Sequence, residues 1–241
     1  MTHFLLMVSG TIQIAILGFT LMCVGAIVLR AWDLFYLSFT FLLLNLYWIV
    51  IPSFLSMAPV LPMLSVGFVA TTVLFFVSKP ELSWIRRGKM DTFSWCFLIA
   101  TGVGSTAALI FWASWTDNLG AAKEMVQGFK DDPLWMAFVI IPVFALLNAL
   151  AEEVIYRGIM QEVLSKRMRS QVLILSIQAA AFAAAHYAAG FPNGVVGYLM
   201  VFGYGIALGY LRYRTNGMLA PYIAHVIADL TIATFLVLRF L

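Results

Sequence analysis

The run Ala151-Glu152-Glu153-Val154-Ile155-Tyr156-Arg157 sets two adjacent carboxylates and a guanidinium inside an apolar stretch. Upstream, Leu134 to Leu150 carries no charge, and Val154, Ile155, Ile159 and Met160 continue the apolar pattern beyond the pair. Ionisable groups at membrane depth cost at least ~2.5 kcal/mol each on insertion scales, so they face a protein interior or a water cavity. On a helix, Glu153 and Arg157 stand four apart on one face, in the order that favours an ion pair. Glu152 points about 100° round the helix from its neighbour, on the side of Tyr156 and Ile159, and is the carboxylate left over. Two glutamates in two environments can hold two roles, one neutralised and structural, the other free to take a proton in a hydrolysis. Read without chemistry, the three residues are an interfacial charge cluster near a helix end.

Two further polar constellations lie downstream, each in its own apolar segment. Phe182-Ala-Ala-Ala-His186 sits in an alanine-rich stretch, Ala179 to Ala189, whose small side chains let a helix approach its neighbours closely. His186 is the acid-base group of that segment; a lone helical histidine is more often a satisfied core residue than a base. His225-Val-Ile-Ala-Asp229 is a second pair spaced by four, in which Asp229 either orients His225 by accepting its N–H or joins it as a metal ligand. Gly205-Ile-Ala-Leu-Gly209 is a small-xxx-small pattern, read as packing within the chain.

The elements that must position these residues are membrane helices. The chain is 63% hydrophobic and 10% charged, with a mean hydropathy of +0.98, far from the roughly one-quarter charged residues of soluble domains. Eight segments, roughly 4–28, 34–51, 61–78, 92–115, 134–160, 171–190, 194–212 and 217–238, reach the length of about 20 residues that a hydrocarbon core requires. The first lacks a basic leader and a small-residue cleavage site and reads as a transmembrane helix, not a signal peptide. The expected fold is all-α and polytopic, with an N-terminal four-helix region (1–133) and a four-helix catalytic core (134–241). Cys23 and Cys96 both lie in apolar segments, and two cysteines give neither a disulfide framework nor a metal-thiolate spacing.

Eleven basic residues fall in the odd-numbered loops and only Lys123, Lys130 and Arg239 in the even loops and termini, with Arg157 the one ambiguous assignment. That asymmetry places the odd loops in the cytoplasm and both termini outside. The small net charge of +3 follows from this placement and is no nucleic-acid footprint. The outer loop 116–133 is expected to include a short surface helix. At 1.5 Å per residue from the cytoplasmic ends, Glu152, His186, His225 and Asp229 lie roughly 12–24 Å deep, in one broad layer, provided the glutamate helix continues to about Leu164.

Glu-Glu-x-x-x-Arg, Phe-x-x-x-His and His-x-x-x-Asp, each on a separate hydrophobic helix and in that order, resemble the signature of the CPBP intramembrane proteases. That family includes the type II CAAX prenyl endopeptidases and the Abi proteins linked to bacteriocin processing or immunity. The resemblance covers roughly 150–232. It implies that Glu152 acts with His186 to activate a water for attack on a peptide carbonyl. His225 and Asp229 would then stabilise the oxyanion or shape its pocket, while Glu153 and Arg157, with Phe182 and Tyr156 beside them, support the site. The family's third motif ends in Asn or Asp; an ionised Asp229 cannot donate to an oxyanion, so it is either protonated or orients His225. The substrate implied is a peptide or membrane-protein segment, prenylated or not, met in the lipid bilayer, with no cofactor.

Three alternatives stand beside this reading. Zinc on Glu152, His186, His225 and Asp229 would make a metal protease, although no His-Glu-x-x-His helix is present. The same four residues could form the titrating chain of a proton-relay transporter. A catalytically silent binding or immunity protein could use the same scaffold.

Overall fold

The computed structural model describes residues 2–50, 60–78, 85–116, 119, 123, 126–127, 130–131, 133–189, 191–192 and 194–241. Among them are eight apolar helices: α1 (Thr2–Val28), α2 (Trp32–Val50), α3 (Val60–Ser78), α4 (Thr92–Trp115), α5 (Ala137–Arg167), α6 (Gln171–Ala189), α7 (Gly194–Thr215) and α8 (Leu219–Phe240). Four of them, α4, α5, α7 and α8, are each long and apolar enough to cross a membrane. The protein is an all-helical, polytopic membrane protein of the expected kind. The surface helix expected in 116–133 falls largely outside the described residues, as do residues 51–59 between α2 and α3.

Two compact units divide the chain, Met1–Leu82 and Ser83–Leu241. The first holds α1–α3. α1 and α2 pack through a stack of Phe19 on Phe41 (5.6 Å between centroids), and α2 meets α3 where the Tyr36 and Thr71 hydroxyls share a hydrogen bond of 2.6 Å. α1 ends in a left-handed residue, Arg30 (φ 53°). Ala31 N–H donates to Ala26 and Arg30 N–H to Ile27, so the last carbonyls of the helix find donors.

The second unit holds α4–α8. The sequence-based boundary at 133/134 leaves α4 with the N-terminal region, whereas here α4 packs against α7 and α8. Leu98 of α4 lies in one buried cluster with Leu208, Leu211, Ala220 and Ala224. α4 begins where the Asp91 carboxylate accepts from the Ser94 N–H and hydroxyl, bonds that hold this loop carboxyl below its usual range.

At the same end of the unit the segment before α4 runs beside the α7–α8 turn. Lys89 N–H donates to Thr215, and the first amides of α8, Met218 and Leu219, donate to Arg86 and Arg87. A foreign backbone thus supplies acceptors that the start of a helix lacks. Gly88 (φ 87°) and Gly217 make this possible: a β-carbon on Gly217 would lie 2.1 Å from Gly88 N. Two of the basic loops therefore share one end of the unit, tied further by Arg214 to Asp91.

α5 departs most from expectation. It extends seven residues past the apolar run, to Arg167, as the depth argument required, and it changes winding midway. Ala137–Glu153 is α-helical, Val154–Met160 is π-helical and Gln161–Arg167 returns to α. The π turn starts at the residue after Glu153 and includes Arg157; such turns are rare and concentrate at functional sites.

Candidate active site

Glu152 and Glu153 both point into the second unit from α5, but they meet different partners. Glu153 and Arg157 have fully buried side chains 2.9 Å apart, the ion pair that the spacing of four predicts. Arg157 also lies over the Phe182 ring at 4.4 Å and reaches the Gly205 carbonyl at 3.4 Å, so its charge is matched by a carboxylate, a π face and a backbone dipole. Its complete burial removes it from the loop charges, leaving ten basic residues on the odd side against three.

His225 stands between the two glutamates. Its Nδ1 lies 2.8 Å from Glu153 Oε1 and its Nε2 3.4 Å from Glu152 Oε2 and 3.7 Å from Asp229 Oδ1. A carboxylate facing Nδ1 at hydrogen-bond distance fixes that nitrogen as donor. A proton must also lie between Nε2 and the oxygens around it, since a bare lone pair there would be repelled. Three carboxyl groups meet one guanidinium and one imidazole. Of the two glutamates Glu152 is the more exposed, 9% against 0% for Glu153.

The shortest contact of His225 is thus to Glu153, and Asp229, which shares its helix face, lies farther off at 3.7 Å. Asp229 accepts from Asn148 Nδ2 at 3.0 Å through its other oxygen. Asn148 is one turn before Glu152 and went unread in the sequence, where its only signal was to be an amide in a charge-free run.

His186 is tied to Phe182 and not to a carboxylate. Its Nδ1 lies 3.0 Å from the Phe182 carbonyl, which can only accept, so Nδ1 carries the hydrogen and Nε2 is free to accept. The Phe182 ring packs edge-on against both histidines, at 4.7 Å from His186 and 5.9 Å from His225, and Tyr156 packs on Phe182 at 5.1 Å. Tyr204 closes the other side of His225 at 5.7 Å, its hydroxyl donating to the Ala224 carbonyl. Glu152, Glu153 and Asp229 therefore converge on His225, Arg157 is joined to them through Glu153, and His186 joins them through an aromatic spacer. Among the described residues no three His, Cys, Asp or Glu side chains are arranged to hold one metal ion.

The wall that carries these groups depends on close helix approach. A β-carbon on Gly205 would lie 3.0 Å from Ala179 Cβ and 3.1 Å from its Cα, and one on Gly209 2.6 Å from Gln178 Nε2. The two glycines serve packing of α6 on α7 within the chain.

No curated protein and no solved structure matches the chain. A family model does, over residues 133–231, a span that begins just before α5 and contains Glu152, Glu153, Arg157, Phe182, His186, His225 and Asp229. Its description is "Type II CAAX prenyl endopeptidase Rce1-like", and over those residues the chain is similar to that family.

Proposed function

We propose that the protein is an intramembrane endopeptidase in which Glu152 is the general base. The observation that carries the reading is the division of labour around His225, with one glutamate neutralised by Arg157 and the other facing Nε2 from the more open side. In this reading Glu152 takes a proton from water as the water oxygen bonds to the scissile carbonyl carbon. The carbonyl oxygen becomes an oxyanion and accepts from His225 Nε2–H, while Glu153 holds the ring through Nδ1. His186 Nε2 accepts from the same water and aims it. As the intermediate collapses, the C–N bond breaks and the proton on Glu152 passes to the leaving nitrogen, regenerating the carboxylate. Asp229, held by Asn148, positions His225 from the third side.

This chemistry needs no cofactor, and we propose that none is used. An apolar cavity of about 380 Å3 between α4, α7 and α8 is lined by Tyr204 and Ala228, both adjoining the site, and by the small residues Gly104, Ala108, Gly203 and Ala207. It supports a membrane-borne substrate with an apolar portion, prenylated or not. Incubating the purified chain with a peptide library and reading the cuts by mass spectrometry tests the activity. Defined cuts that survive a chelator are expected; no cutting by a folded preparation would remove the protease reading, and loss to a chelator with recovery on added zinc would replace the mechanism.

We further propose that both termini are extracytoplasmic, from the ten-to-three bias of basic residues. A C-terminal reporter active only in the cytoplasm should be silent, and a strong signal would reverse the orientation.

A further inference from the structure

Every buried side-chain nitrogen or oxygen without a hydrogen-bond partner among the described residues lies along one seam between α5, α6 and α7: Glu152 Oε2, Glu153 Oε2, Arg157 Nε, Gln161 Oε1, Gln178 Oε1 and Arg212 Nε. The seam is continuous. Arg157 and Gln178 both donate to the Gly205 carbonyl, at 3.4 and 2.8 Å, and Gln161 donates to the Gly209 carbonyl one turn further along α7 at 2.9 Å. Beyond Gly209, Arg212 reaches Glu162 at 3.3 Å, and Glu162 also meets Lys166, whose side chain is half in solvent. A file of polar side chains thus runs from the Glu152–His225 cluster to the basic end of the unit.

Each amide and guanidinium in the file makes a bridge to a neighbouring helix and leaves one atom over. Gln161 and Gln178 leave acceptors, Arg157 and Arg212 leave donors, and these side chains belong to residues no more than 6% exposed. Buried polar groups are paired in the great majority of cases, so unmatched atoms confined to one seam point to a ligand of that seam. The ligand has to be small, to accept from the arginine Nε–H groups and to donate to the glutamine carbonyl oxygens; buried water, which typically makes about three hydrogen bonds to otherwise unsatisfied groups, does this.

We propose that the α5/α6/α7 seam is a hydrated conduit that supplies water to Glu152 from the Glu162–Arg212 end, with Gln161 and Gln178 as its positioning residues. The inference rests on the peptidase reading for its purpose: each turnover of a hydrolase inside a membrane consumes one water, and the apolar faces of the surrounding helices do not deliver it. The π turn contributes by placing Arg157 and Gln161 on the seam side by side with the glutamates, and Gly205 and Gly209 contribute carbonyls uncovered by side chains.

Radiolytic hydroxyl-radical labelling of the full chain in detergent tests it, because radicals formed from bound water react with the side chains beside it. Tyr156, packed on Phe182 beneath Arg157, and Tyr36, in the other unit, are the same residue type with the same exposure of 4%. Tyr156 is expected to label markedly faster than Tyr36 in the wild type. In Gln161→Met and Gln178→Met that excess should fall, and kcat should drop about tenfold with KM little changed, the scale of one lost hydrogen bond. Equal labelling of Tyr156 and Tyr36 in the wild type would overturn the conduit, whether or not the variants fold. Variants that keep both the labelling and the turnover would overturn the roles of the two glutamines. Labelling does not require turnover, so a chain that labels Tyr156 but cuts no peptide would keep the hydrated seam and remove the peptidase reading.

Discussion

Glu152→Gln is expected to abolish most peptide cleavage, by about 10²- to 10⁴-fold in kcat, while leaving the fold and its thermal stability near wild type. The amide is nearly isosteric with the carboxylate and can still sit 3.4 Å from His225 Nε2, but it cannot take a proton. Glu152 carries no ion pair with Arg157 and its one charged contact is the long one to His225 Nε2, so little structure is lost with its charge. Glu153→Gln should behave differently. There the amide replaces a carboxylate that faces both Arg157 and His225, at 2.9 and 2.8 Å, so stability and activity should fall together. The contrast between the two glutamates is the sharper measurement. If Glu152→Gln destabilised the protein as much as Glu153→Gln and cleavage persisted, the assignment of base and support would have to be exchanged.

Hydropathy made the eight helices legible because a bilayer demands long apolar runs, and it located seven of them to within a few residues. It stopped α5 at Met160 because Gln161 to Arg167 is polar in composition, yet Gln161 and Val163 are buried against the other helices. Packing, not lipid, carries that last stretch, and a hydropathy reading does not see packing. The ordered motifs were legible for the same energetic reason: a charge in an apolar helix is too costly to be incidental. What they could not give was the pairing across helices. A spacing of four couples His225 to Asp229 on paper, whereas the shortest contact of that ring is to Glu153, 72 residues away in the chain. Asn148, Gln161 and Gln178 were passed over because uncharged amides are ordinary in helices; only their burial and their reach to Asp229, Gly209 and Gly205 mark them out. The π turn leaves no trace in composition.

Arg157→Ala is expected to cost about 3–5 kcal/mol of stability, because removing one member of a buried ion pair leaves the other charged, desolvated and unmatched. Glu153 would keep His225 Nδ1 as its only strong partner, and the cavity left by the guanidinium would open beneath Phe182 and the Gly205 carbonyl. Yield and thermal midpoint in detergent should both fall, and activity with them. A second substitution separates the charge from the packing. In Glu153→Gln/Arg157→Met the neutral pair removes the stranded carboxylate and fills much of the space, so stability should recover substantially, as replacements of buried ion pairs by neutral groups of similar volume often do. Cleavage should not recover, since a glutamine facing Nδ1 no longer supplies the negative charge that keeps His225 a donor at Nε2. An Arg157→Ala protein that kept its stability and lost only turnover would place the guanidinium on the substrate and take it out of the scaffold.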